Sequence, residues 1–254
     1  MSAGVLVRAG AGRLSAARMN VLFLDQFSEL GGAQRCLLDL LPEIEERGWR
    51  ASAALPGGGP LVEALRARHV DVHEIPCGPY RSGRKSLADV VRFMRDLRSQ
   101  VSVLRSLNFD LLYVNGPRLL VAAAMALDGR APVLFHAHSR IPPGLLSWIA
   151  GWSIRKMDAT VIACTSSVAP GVPRDKLSVI ANGTPYLGFR ERCFKRWRIG
   201  IIGRISPEKG QTDFLRAAAI LAPQFPEVRF VICGAPILPA GNYFATVRDR
   251  KSVV

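Results

Sequence analysis

The chain is short of several features that would otherwise name a chemistry. Its five cysteines, Cys36, Cys77, Cys164, Cys193 and Cys233, are odd in number and never fall at Cys-x-x-Cys spacing. That pattern indicates neither a zinc site nor a disulfide framework. Cys164 and Cys233 sit in apolar, strand-like runs and read as buried, reduced thiols, which fits a cytoplasmic protein. No apolar run reaches the roughly 18 residues of a membrane-spanning helix. The nearest, residues 119–127 and 142–152, read as a buried helix and an amphipathic one. No acidic pair stands as Asp-x-Asp, so a metal-bridged diphosphate is not indicated. Aromatic residues make up 7%, and none interleave with basic residues as in a nucleic-acid motif.

Negative charge is scarce as well. Only 20 Asp and Glu offset 34 Lys and Arg, leaving a net charge of +14. That balance favours anionic partners such as phosphates or acidic lipids, and the scatter of the basic residues speaks against nucleic acid. With 49% hydrophobic residues over 254 positions, the chain can bury a sizeable core in one large domain or two ordinary ones.

The most informative stretch lies late in the chain. Residues 199–202 are apolar but for Gly200, the right length for a buried strand. From Phe214 a helical pattern places Phe214, Leu215, Ala218 and Leu221 on one face. Between them runs Gly203-Arg204-Ile205-Ser206-Pro207-Glu208-Lys209-Gly210. A strand, a glycine-bearing turn and a helix N-terminus make an anion site, through free backbone N–H groups and the helix dipole. Arg204 and Lys209 add two cations, which suits a diphosphate whose charge peaks as it departs.

Upstream, residues 1–18 hold Arg8, Arg13 and Arg18 and no acid, and read as a poorly ordered leader before a fold that begins at Met19. A first strand over 21–24 runs to Asp25, and a helix with Cys36, Leu37, Leu40, Leu41 and Ile44 on one face follows Gly31-Gly32-Ala33. Gly31 and Gly32 thus stand where the first strand turns into the first helix, where glycine permits close approach of a ligand. Further strands are expected over 50–55, 70–75, 111–114, 132–138 and 159–164, with helices over 61–68, 87–107 and 145–157. Residues 57–59 are a glycine turn without the Lys-Ser/Thr of a phosphate loop, and 77–85 a basic loop. The long helix over 87–107 should bury Val90, Val91, Met94, Leu97, Val101 and Leu104, and the helix with Trp148 and Trp152 should pack on the sheet. Thr165-Ser166-Ser167 should cap a following helix. The fifth strand ends with His136 and His138 on one face, at the edge where open α/β sheets bind ligands.

Gly-Arg-x-x-Pro-Glu-Lys-Gly followed by a helix resembles the second-domain signature of the family 4 retaining glycosyltransferases, which have the GT-B fold. The resemblance is carried further by Gly31-Gly32-Ala33-Gln34, by Asn115 at a strand end, by His138, and by Ile180-Ala181-Asn182-Gly183. It implies that Arg204 and Lys209 hold the donor diphosphate in place of a metal, with Gly31 and Gly32 facing the donor. It also implies that His138 lies beside the donor sugar, and that Asn115 and Asn182 face the cleft. Ser139-Arg140 stands where the family more usually has an acid.

The implied architecture is α/β of the GT-B type. A leader (1–18) precedes a complete N-terminal Rossmann-like, acceptor-side domain (19–183), a linker (184–196), and the first part of a nucleotide-sugar-binding Rossmann-like domain (197–254). The implied activity is transfer of a sugar from a nucleotide-diphosphate donor, a co-substrate rather than a cofactor, with retained configuration. The acceptor is a glycan, lipid or small molecule, and peripheral contact with the inner face of the membrane is open. The family's carboxylate pair would lie beyond residue 254, so the chain as given is expected to be C-terminally truncated and inactive. Two alternatives stand beside this reading. One is a non-catalytic nucleotide- or partner-binding remnant. The other is a nicotinamide-dependent dehydrogenase, disfavoured because no Gly-x-Gly-x-x-Gly follows the first strand.

Overall fold

A computed structural model describes residues 18–78, 86–169, 172–183, 188, 197–236 and 242–250. The expected leader (apart from Arg18), the expected linker (apart from Gly188) and most of the basic loop lie outside the described residues. The chain divides into two compact units, Met1–Gly183 and Thr184–Val254.

The first unit is built on seven strands: β1 (Asn20–Asp25), β2 (Arg50–Leu55), β3 (Asp71–Glu74), β4 (Leu111–Asn115), β5 (Val133–Ala137), β6 (Thr160–Ala163) and β7 (Leu177–Val179). Their order is β3-β2-β1-β4-β5-β6-β7, and every pairing is parallel. Among the described residues five α-helices accompany them: α1 (Gly32–Glu46), α2 (Pro60–Arg66), α3 (Leu87–Ser106), α4 (Leu120–Ala126) and α5 (Leu145–Lys156). A parallel sheet needs cover on both faces, and β1 shows why this sequence complies. Val21 and Phe23 join a core with Leu37 and Leu41 of α1 and Leu61 and Leu65 of α2. Leu22 and Leu24 point the other way, into a core with Leu97 and Leu104 of α3 and with α4. The strand order reverses between β1 and β4, a switch point at whose carboxyl ends open α/β sheets bind ligands. Those ends are Asp25 and Asn115.

Three local expectations fail here. On α3, Leu97 and Leu104 are buried, but Val90, Val91 and Met94 are exposed. The adjoining α4 has 7 residues against the 20 of α3, too few to cover its first half. On α5 only Ala150 and Ser153 are buried, while Leu145, Leu146 and Trp148 are more than 60% exposed. The Trp148 face therefore does not pack on the sheet. Thr165 Oγ1 bonds Ser167 Oγ at 2.8 Å, and among the described residues no α-helix follows that turn before β7.

The second unit pairs β8 (Arg198–Ile202) with β9 (Arg229–Cys233) in parallel, accompanied by α6 (Gln211–Leu221) and α7 (Asn242–Arg250). Its core is Ile205, Leu215 and Val247. Residues 199–202 have the length of a buried strand but lack cover: Ile199 and Ile202 are exposed, Ile202 by 86%. Two strands and two helices do not cover both faces of the ladder. For the same reason Cys233, expected to be buried, is exposed, and Cys164 is half-buried.

Candidate functional site

In the first unit the polar side chains at the ends of β1, β4 and β5 form one connected network. Asp25, the last residue of β1, is 1% exposed. Its Oδ1 accepts from the Phe27 amide at 2.9 Å and from Gln34 Nε2 at 3.0 Å. Its Oδ2 accepts from Gln34 Nε2 at 3.1 Å and from Asn115 Nδ2 at 2.6 Å. Asn115 Nδ2 also donates to the Ala33 carbonyl at 3.2 Å, and its Oδ1 lies 2.8 Å from His138 Nε2. Gln34 is the third helical residue of α1, and its Oε1 accepts from the Gly31 amide at 3.1 Å. A side chain at Gly31 would put its Cβ 2.8 Å from that oxygen, whereas space above Gly32 is open. A side chain at Gly31 would thus push Gln34 out of its contact, whereas Gly32 leaves room for a ligand.

Burial dominates the protonation chemistry. It pushes the Asp25 carboxyl up to about 6 from 3.8, against hydrogen bonds from Asn115, Phe27 and Gln34 that lower it. His138 is pushed down to about 4, by burial first and then by its neighbour His136. The two imidazoles stack with centroids 3.8 Å apart. His136 is also lowered by burial, and its Nδ1 shares a hydrogen bond with the Tyr113 hydroxyl. Both rings are therefore neutral at physiological pH. His136 Nε2 and His138 Nδ1 are buried nitrogens with no hydrogen-bond partner among the described residues. A separate concavity of about 730 Å³, lined by Asn20, Trp49, Arg50, His69 and Asp71 among others, opens at the opposite, amino-terminal edge of the sheet.

In the second unit the loop after β8 carries Arg204 and Lys209, both exposed. Pro207–Lys209 forms a 3-10 turn, and Gly210 adopts φ 75°, a left-handed conformation that glycine enters without strain. The amides of Lys209 and Gly210 are used within that turn, on Ser206 and Pro207 carbonyls, and the Thr212 amide faces the Tyr243 hydroxyl at 3.3 Å. The helix start is thus less rich in free N–H groups than the sequence suggested, and the loop's positive charge lies in the two cationic side chains. Arg204 is paired with Glu208 at 2.5 Å. Gln211 is fully buried. Its Nε2 donates to the Arg204 carbonyl at 2.8 Å, and its Oε1 faces the Ser206 amide at 3.4 Å.

Residues 31–183 match the glycosyl transferase 4-like domain. The chain belongs to that family. No curated protein matches it significantly, but solved structures do. Anabaena HepE in complex with UDP-glucose superposes with a TM-score of 0.67 at 22% identity, covering 92% of this chain and 66% of that one. A glycosyltransferase from Rickettsia africae gives 0.62 at 16% identity, covering 92% and 65%. A mutant of S. aureus TarM, in complex with fondaparinux, alpha-GlcNAc-glycerol and UDP, gives 0.66 at 10% identity, covering 92% and 75%. This glycosyl transferase 4-like chain therefore has the GT-B fold, and it spans slightly under two thirds of the length of HepE.

Of the family residues read from the sequence, the structure brings Gly31, Asn115 and His138 into one network through Asp25 and Gln34. Asn115 is buried, with both ends of its amide engaged. Asn182 is exposed in the segment after β7 and stands outside that network. Arg204 and Lys209 share one loop in the second unit. Sequence reasoning placed Gln34 and Glu208 within motifs, but it gave neither of them, nor Asp25 or Gln211, a structural role. A Gln three residues after a helix cap is half of a capping box and was a usable signal for Gln34. Nothing comparable marked Gln211.

Proposed function

We propose that this glycosyl transferase 4-like chain serves transfer of a sugar from a nucleotide-diphosphate donor to an acceptor, with retained anomeric configuration. The observation that carries the reading is the loop after β8. It presents Arg204 and Lys209 to solvent on a backbone pinned from beneath by the buried Gln211. As the glycosidic bond to the diphosphate breaks, negative charge accumulates on the leaving phosphate. Lys209 and, once released from its pair with Glu208, Arg204 stabilise that charge, the work a metal does elsewhere. The donor is a co-substrate, and the reading invokes no cofactor. His138 is assigned a place beside the transferred sugar, and Gly32 the close approach of the donor. That HepE was crystallised with UDP-glucose makes UDP-glucose the first donor to try.

The acceptor is a glycan, a lipid or a small molecule. A lipid is favoured by the exposed Leu145, Leu146 and Trp148 at the start of α5, with Arg155 and Lys156 in its last turn. The exposed Leu87, Val90, Val91 and Met94 of α3 repeat that face, on a helix joined to α5 through α4. No helix among the described residues is long and apolar enough to cross a membrane. Peripheral binding to an anionic bilayer, on its cytoplasmic side, accords with apolar helix faces and a net charge of +14.

Calorimetric titration with UDP and GDP tests the diphosphate assignment. A charge-assisted contact contributes about 1.5–3 kcal/mol, so Arg204→Ala or Lys209→Ala should each weaken binding roughly tenfold to a hundredfold. Affinity unchanged in both variants refutes the assignment.

A further inference from the structure

The network at the ends of β1, β4 and β5 has a direction, because each amide in it is anchored on a backbone group that can play only one role. The Gly31 amide can only donate, so the Gln34 atom 3.1 Å from it is the oxygen, and the nitrogen of Gln34 must face Asp25. The Ala33 carbonyl can only accept, so the Asn115 atom 3.2 Å from it is the nitrogen, which also faces Asp25 at 2.6 Å. Asp25 therefore meets three N–H donors, from Phe27, Gln34 and Asn115, an arrangement that suits the ionised carboxylate. What remains of Asn115 is its oxygen, which can only accept, 2.8 Å from His138 Nε2.

We propose that Gln34, Asp25 and Asn115 are positioning residues that hold His138 in the Nε2–H tautomer and leave its Nδ1 as a bare acceptor. A neutral imidazole carries one proton, and the Asn115 oxygen requires it at Nε2. Nδ1 is the nitrogen that has no partner among the described residues. Nδ1 is enclosed in this structure, so a sugar hydroxyl can bond to it only where the ring's cover gives way, and there the ring accepts. It cannot donate one to a phosphate or carboxylate oxygen, nor act as a proton donor to the leaving group. A transferred sugar meeting the ring with a hydroxyl is accepted, and one meeting it with a carboxylate is disfavoured. This last step rests on the glycosyl-transfer reading; the tautomer does not.

The ionisable groups around the network belong to several elements: His136 on β5 stacks on His138 and bonds Tyr113 on β4, Cys77 after β3 interacts with Asp25, and Cys164 after β6 bonds the His138 carbonyl. Burial raises Tyr113 and Cys77, so neither supplies a charge that would reverse the relay at neutral pH.

The test is long-range nitrogen-15 NMR of the imidazole rings in the chain alone. Only four histidines are present, and His138→Gln assigns the signal. At neutral pH, Nε2 of His138 should be protonated and Nδ1 bare, by a ratio of about tenfold, which one hydrogen bond of this kind supplies. Asn115→Ala removes the acceptor that faces Nε2 and should leave both tautomers populated. Should that variant not fold, Asn115→Ser, too short to reach the ring, should do the same. A proton on Nδ1 in the parent, an imidazolium at neutral pH, or a tautomer ratio indifferent to the substitutions overturns the proposal. No donor is present in this measurement. Its failure therefore leaves the diphosphate assignment standing, and a failure of nucleotide binding leaves the tautomer standing.

Discussion

Asp25 gives the first unit an acid-dependent stability that can be worked out from its surroundings. The carboxyl is 1% exposed and its folded-state value lies near 6 against an ordinary 3.8. Between those values the folded carboxyl holds a proton that the unfolded one has lost. Acidification through that window therefore favours the folded state, and the contribution is lost as pH rises through it. The full difference is about 3 kcal/mol, of which about 2 kcal/mol falls between about pH 4.5 and about pH 7. His138 works the other way. Its folded value near 4 lies below the ordinary 6.5, so its contribution is present above 6.5 and is lost as pH falls through the window. Because that ring is partly exposed, solvent screening shrinks its effect. Asp25→Asn removes the first contribution and retains the His138 ring, so the comparison should be read as a difference between parent and variant. Urea melts followed by far-ultraviolet circular dichroism at the two pH values supply it. The parent should gain about 2 kcal/mol on the variant when acidified. A difference that stays flat, or one in which the parent loses ground on acidification, refutes the reasoning.

Gln211→Ala should strand the Arg204 carbonyl and the Ser206 amide, lowering the stability of the second unit by about 1–3 kcal/mol and weakening UDP binding without removing either cation; unchanged melting and affinity would dismiss the clamp. Trp148→Glu should release the chain from anionic phosphatidylglycerol vesicles in a sedimentation assay, since burying a large apolar side chain contributes about 1.5–3 kcal/mol. Equal sedimentation of parent and variant, or equal binding to neutral phosphatidylcholine, counts against the membrane face.

The sequence carried the periodic part of the fold. Strands such as 21–24 and 111–114 announce themselves because both faces of a parallel sheet are buried, which leaves a continuous apolar run. The helix over 61–68 and the turn at Gly31 were legible for equally local reasons. What periodicity could not say is whether an apolar stripe finds something to cover it. Val90 and Val91 on α3, Trp148 on α5 and Ile202 on β8 all have the right neighbours in sequence and no cover in space. Cover depends on the length of the next helix and the number of strands in the sheet, and neither is a property of the segment itself.

The buried glutamines show the same limit in polar form. Gln34 and Gln211 each stand at a helix start beside a glycine, in different units, and each reaches back to the loop before it. Gln34 takes the Gly31 amide; Gln211 takes the Arg204 carbonyl and the Ser206 amide. In a linear reading each looks like one more exposed polar residue in a first turn. In the fold each is under 5% exposed, and burying an amide is tolerable only when its partners are fixed. The residues that resemble the family's motifs, His138, Arg204 and Lys209, are those whose functional groups must remain available to a ligand. Their geometry is set by neighbours that touch no ligand at all. A glycine followed within three residues by a buried glutamine is therefore the feature to seek when a βα loop is suspected of holding an anion or a sugar. The glycine gives the turn its shape, and the glutamine keeps it.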